Sequence, residues 1–121
     1  MAKQTMTARQ QHILALVKRY QRLMGLADWH IDVVFCAEKE GAACSADDEY
    51  LQAIVHFDTT VLKPADDAEV VRHELAHCLT WELLRVAEHL AKGNEIALEM
   101  IRAASERCTT LVERMPVWRQ S

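Results

Sequence analysis

The sequence predicts an α+β domain: an N-terminal helix, a small antiparallel or mixed sheet packed on a histidine-bearing helix, and a C-terminal helix. Three observations carry this. Towards both ends, apolar residues recur at three- and four-residue steps, as on one face of a helix. Between them, residues 29–35 and 50–57 alternate in the manner of half-buried strands. The chain also holds only three glycines and two prolines, which favours long helices over a turn-rich β fold. Its 121 residues fit one domain spanning 1–121.

The first helix is expected over 7–24, where Ile13, Leu14, Leu16, Val17, Tyr20, Leu23 and Met24 repeat at three- and four-residue steps. Thr7 is its N-cap and Gly25 its stop. His12 has no partner at ligand spacing and reads as a surface residue. In the strand 29–35, Trp29, Ile31, Val33 and Phe35 face the core, leaving His30 and Asp32 to solvent. Residues 36–48 read as a loop or a broken strand containing Cys44. Residues 50–57 form the next strand, an antiparallel neighbour of the first, and Pro64 prevents its extension.

Asp66 followed by Glu69 resembles a capping box, so the central helix starts near 66 or 67. Residues 78–92 contain no glycine or proline and either continue that helix or bend at Thr80-Trp81. Lys92-Gly93-Asn94 stops it. A last helix runs over 94–114 and ends at Pro116.

Composition narrows the function. A net charge of −4 lacks the basic footprint of a nucleic-acid binder. No stretch approaches 18 apolar residues, and the N-terminus has no signal-type apolar core, so no membrane association is expected. Cys36, Cys44, Cys78 and Cys108 form no C-x-x-C pair. Reduced thiols and a cytoplasmic location are therefore expected, with a cysteine-built second zinc site as the lesser alternative.

The central helix carries His73-Glu74-Leu75-Ala76-His77, an H-E-x-x-H sequence. Histidines four apart on a helix lie on one face and can present two imidazole nitrogens to one metal ion. Glu74, about 100° round the helix, is placed to act as a base on water. An ordinary solvated face is the alternative. The apolar neighbours Val70, Val71, Leu75 and Cys78 argue for partly buried histidines, which need partners.

Catalytic zinc normally takes three protein ligands and leaves one position open. Cys78-Leu79-Thr80-Trp81-Glu82-Leu83 lacks the glycine and histidine of a metzincin continuation. The remaining candidates are His89 and, on the last helix, Glu95, Glu99 and Glu106. Glu95 and Glu99 share a face, so one can ligate while the other orients a histidine. Geometry sets a condition. If residues 78–92 continue the helix straight, its end lies about 22 Å beyond His77. Only a residue near Glu106, on an antiparallel return, is then level with His77.

H-E-L-A-H followed by Asn94-Glu95, with Glu95 18 residues after His77, resembles the gluzincin metallopeptidases, the class of thermolysin and the zinc aminopeptidases. The upstream order is a helix, a strand beginning Trp29-His30-Ile31, a second strand with Ala53-Ile54, then Pro64 and the acidic run before the motif. This is similar to small zincin-like proteins of phages and prophages, over roughly residues 10–112. The resemblance implies a zincin-like fold with His73, His77 and Glu95 binding zinc, Glu74 as general base and Glu99 orienting a histidine. A later ligand position in some phage-type members favours Glu99 instead.

The activity implied is hydrolysis of a peptide bond in an extended peptide or protein substrate. Residues 50–57 would be the edge strand that pairs with it, and Tyr50 and His56 candidate oxyanion helpers. The alternative is a catalytically inactive zinc-binding module with a structural or interaction role, its site closed by a second glutamate or Cys78. A latent form, with Trp118 of the C-terminal tail over the cleft, is a third reading.

Overall fold

The structure is a computed structural model and describes residues 6–47 and 50–115. Helix α1 (Ala8–Leu23) is followed by strands β1 (His30–Phe35), β2 (Ala42–Asp47) and β3 (Gln52–Phe57). A 3₁₀ turn at Pro64–Asp66 leads into α2 (Asp67–Leu90), and α3 (Glu95–Glu113) closes the fold. This is a small α+β fold with a three-stranded mixed sheet.

Helix α1 begins as the sequence dictates. The Gln10 backbone N–H donates to Thr7 Oγ1 at 3.1 Å, and Thr7 N–H donates to Gln10 Oε1 at 3.0 Å, a complete capping box. Gly25 takes φ +76°, the left-handed stop. The alternating strand faces also stand: Ala53, Val55 and Phe57 are buried, while His30, Asp32 and Ile54 are exposed.

The sheet differs from expectation in three respects. Residues 42–47 form a full strand, antiparallel to β3, with Cys44 opposite Val55. The segment Ala-Ala-Cys-Ser-Ala-Asp holds no β-branched or aromatic residue, so its propensity conceals it. Because β2 takes one side of β3, β1 must take the other. It pairs with β3 in parallel, Val33 opposite Val55, and not antiparallel. The order is β1-β3-β2, so residues 52–57 form the central strand; β2 is an edge. Gly41, at φ +89°, opens β2 where a Cβ would meet Leu62 Cδ2 at 2.6 Å.

The core lies between the inner sheet face, α1 and the first half of α2, with Ile13, Val17, Val55, Phe57, Val71 and Leu75 nearly inaccessible. The expected capping box at α2 does not form: Asp66 has helical backbone angles and makes no side-chain cap. Asp67 instead pairs with Arg9, Oδ1 to Nη2 at 2.8 Å and Oδ2 to Nε at 3.2 Å. Arg9 also donates to the carbonyls of Thr59 (2.7 Å) and Leu62 (2.8 Å), tying α1 to the β3–α2 connection.

Helix α2 runs its 24 residues without interruption. Thr80 and Trp81 do not break it. Thr80 Oγ1 reaches back to the carbonyls of Ala76 and His77 at 3.4 Å and meets Thr109 Oγ1 of α3 at 3.0 Å. Helix α3 starts at an Asn94 cap, whose Oδ1 accepts from Ala97 N–H, and returns antiparallel along α2. Among the described residues, no helix is long and apolar enough to cross a membrane.

Candidate metal site

His73 and His77 project from one side of α2 towards α3. Their rings lie edge to face, centroids 5.0 Å apart. Ligand atoms of His73, Glu74 and His77 all fall within 4.8 Å of one another, so the group can hold a metal ion. It is the one such group of three or more found among the described residues.

The straight helix decides which residues meet these histidines. Leu90 lies about 20 Å along α2 from His77. Glu95 opens α3 beyond that end, and Arg102 pairs with Glu88 at 3.0 Å. Glu95 and Glu99 are therefore not brought to the motif. The exposed His89, in the last turn of α2, lies at the same far end.

Two later glutamates take their place. Glu106 Oε1 is 2.9 Å from His73 Nε2, and its Oε2 is 3.8 Å from His77 Nε2. Glu113, two turns further along α3, places Oε1 at 3.0 Å from His73 Nδ1. The straight-helix condition points to Glu106. Glu113 has a weaker signal in the sequence, seven residues on and so on the same side of α3.

Electrostatics follow from this crowding. Burial opposes a charge on His73, but the Glu113 hydrogen bond and the carboxylates of Glu74, Glu106 and Glu113 outweigh it and raise its pKa. Burial lowers that of His77, against the pull of Glu106 and with the push of His73. Glu74 is pushed up to about 7, first by burial; His73 opposes this, while Glu106, Glu38 and Glu40 add to it. Glu113 Oε2 is buried with no hydrogen-bond partner among the described residues.

This donor set fits a divalent cation. Glu113 on Nδ1 leaves Nε2 of His73 for a metal, the carboxylate–histidine arrangement that orients ligands. Glu106 places its carboxylate against both Nε2 atoms. The Glu106 side chain is 58% exposed, so the site meets solvent on that side. Beside it lies a cleft of about 380 Å³ whose lining includes Glu40, Ala42, Asp66, Glu69, His73 and Glu74. Ala42 opens β2, so the cleft borders the sheet's edge strand.

The other candidates fall elsewhere. Tyr50 is exposed in the turn before β3. His56 lies on the sheet face away from the core, 3.3 Å from Cys36 Sγ, so neither is placed as an oxyanion helper. Cys78 is buried against Cys44, Sγ to Sγ 4.0 Å, and that contact with burial raises the Cys44 pKa. All four cysteines are free, and no cysteine cluster of metal-binding size occurs among the described residues. Trp118 lies outside the described residues. No family model, curated protein or solved structure matches this chain.

Proposed function

We propose that this protein is a zinc-dependent peptide hydrolase, with His73, His77 and Glu106 holding the metal and Glu74 acting as general base. One observation supports it above the rest. The two Nε2 atoms of an H-E-x-x-H helix share one exposed carboxylate, while a second carboxylate holds the opposite nitrogen of His73.

When bound, zinc polarises a scissile carbonyl and lowers the pKa of water towards 7. The chain's own residues do the remainder. Glu113 fixes the ring of His73 and its tautomer. Glu74, inside the cleft and with its pKa pushed up to about 7 by burial, takes a proton in its ionised form from the attacking water and passes it to the leaving amine. Strand β2, the edge beside the cleft, replaces β3 as the segment that would pair with an extended substrate backbone. A motif helix packed on a sheet edge, with a third ligand from a later helix, is the arrangement expected of a zincin-like domain.

Metal analysis of the purified protein and peptide hydrolysis by wild type and Glu74→Gln test this reading. Stoichiometric zinc, with hydrolysis abolished by Glu74→Gln, is the expected result. Hydrolysis that survives Glu74→Gln would overturn the mechanism. Retained zinc without hydrolysis, and a loss of stability on chelation, would favour the structural-metal alternative. In that case the ion serves to clamp α3 onto α2 through Glu106.

A further inference from the structure

The face of α2 that packs against α1 in its first half continues past the domain body as a bare apolar strip. Leu79, Leu83, Val86 and Leu90 follow one another at steps of four, three and four residues, the spacing of a helix–helix seam. All four are exposed, Leu83 at 73% and Leu90 at 81%. Helix α3 repeats the pattern alongside: Ala97, Ile101, Ala104 and Cys108 have the same spacing. Between the two helices runs a groove of about 320 Å³, with Leu83, Ala87, Ile101 and Cys108 among its walls and no charged residue lining it.

We infer that this hairpin face is where a second copy of the chain docks, two α2–α3 hairpins closing a four-helix bundle about a two-fold axis. The fit is self-complementary. Each copy presents a ridge, Leu83 and Leu90, next to a groove walled by Ile101 and Ala104. A two-fold rotation sets each ridge over the other copy's groove, and the contact closes without leaving a further apolar edge. The chain's net charge of −4 does not oppose this, because the groove itself is uncharged.

The area reaches the threshold. A fully exposed aliphatic side chain carries roughly 100 Å² of apolar surface, so the partly exposed strip and its groove offer roughly 300 Å² per copy. Interfaces are about 60% apolar, so the contact would bury roughly 1,000 Å² in total, the lower bound for a specific interface. The outer sheet face interleaves Val34 and Ile54 with His30, Asp32, Gln52 and Asp47 and offers no comparable strip, and the exposed Ile96, Met100 and Leu111 of α3 lie outside the groove. The inference stands independently of the metal site.

Sedimentation velocity of the full chain between about 1 and 100 µM should show a dimer. Leu83→Lys with Leu90→Lys should weaken it at least about 100-fold, as loss of two central apolar anchors does. Ile54→Lys, on the outer sheet face, should leave it unchanged. Hydrogen exchange on the wild type covers the case of a misfolded double variant: protection at 79–90 and 97–108 should rise with protein concentration. A wild type that stays monomeric at 100 µM overturns the proposal, as does a folded double variant that still dimerises. Concentration-dependent protection confined to the sheet would do the same.

Discussion

Thr80 Oγ1 and Thr109 Oγ1 meet at 3.0 Å between α2 and α3, inside a contact where Thr109 has no exposed surface. A residue that could have ended the motif helix instead lies in register with the helix returning beside it. That register brings Glu106 and Glu113 to His73 and leaves Glu95 and Glu99 at the far end.

The proposed ligand set rests on this register. Glu106→Ala should lower zinc affinity on the order of a thousandfold, and Glu113→Gln by roughly 10–100-fold, the range for residues that orient a ligand. Glu95→Ala and Glu99→Ala should leave it unchanged. Competition titration with a chromogenic chelator reads all four. Loss of binding in Glu95→Ala with retention in Glu106→Ala would refute the assignment.

Glu74→Gln keeps the shape of the side chain and removes the base. Peptide hydrolysis should fall by roughly 10²–10⁴-fold, while zinc content stays stoichiometric. Paired activity and metal measurements on the same preparation decide this. Parallel loss of both would mean that Glu74 serves the site's assembly and not its chemistry.

Through Glu74 and His73, the metal-free protein should lose stability as pH rises towards and through about 7, and level off above it. The sign follows from which state binds more protons. Glu74 is raised from 4.5 to about 7, so its contribution is complete below 4.5 and lost as pH rises through 7. His73, raised above 6.5, loses its contribution above that value. His77 is lowered and acts oppositely, but only below 6.5. Thermal melts in chelator should show the fall. Glu74→Gln should be more stable than wild type at pH 8, by on the order of 2 kcal/mol. Equal melting temperatures at pH 8 would contradict the burial of this carboxylate.

Arg9 joins α1 to the entry of α2 through a nearly buried Asp67. Arg9→Ala strips that carboxylate of its partner and frees two carbonyls. Urea unfolding should show a loss of about 3 kcal/mol. Asp67→Asn, which keeps some hydrogen bonding, should lose less. A change within 0.5 kcal/mol for Arg9→Ala would show the cluster to be energetically idle.

Local signals carried much of this fold. The Thr7 box, the Gly25 stop, the Asn94 start and the alternation of β1 and β3 each depend on residues within a few positions of one another. So does the pairing of His73 with His77, a matter of helical pitch. Residues 36–48 read only as a loop or a broken strand because alanine, cysteine and serine carry little strand preference, and β2 forms only because β3 supplies hydrogen-bond partners. The presence of β2 then turned the β1–β3 pair parallel and moved the edge from β3 to β2.

The sequence by itself determined two imidazoles and a carboxylate on one helix, and an α+β frame to hold them. Periodicity and capping act over a few residues, and no distant contact is needed to impose them. Only the tertiary structure decided the partners. Glu106 and Glu113 lie 33 and 40 residues from His73, and their arrival depends on α2 staying straight. The antiparallel return that delivers them includes the packing of Thr80 on Thr109, a contact that no local preference encodes.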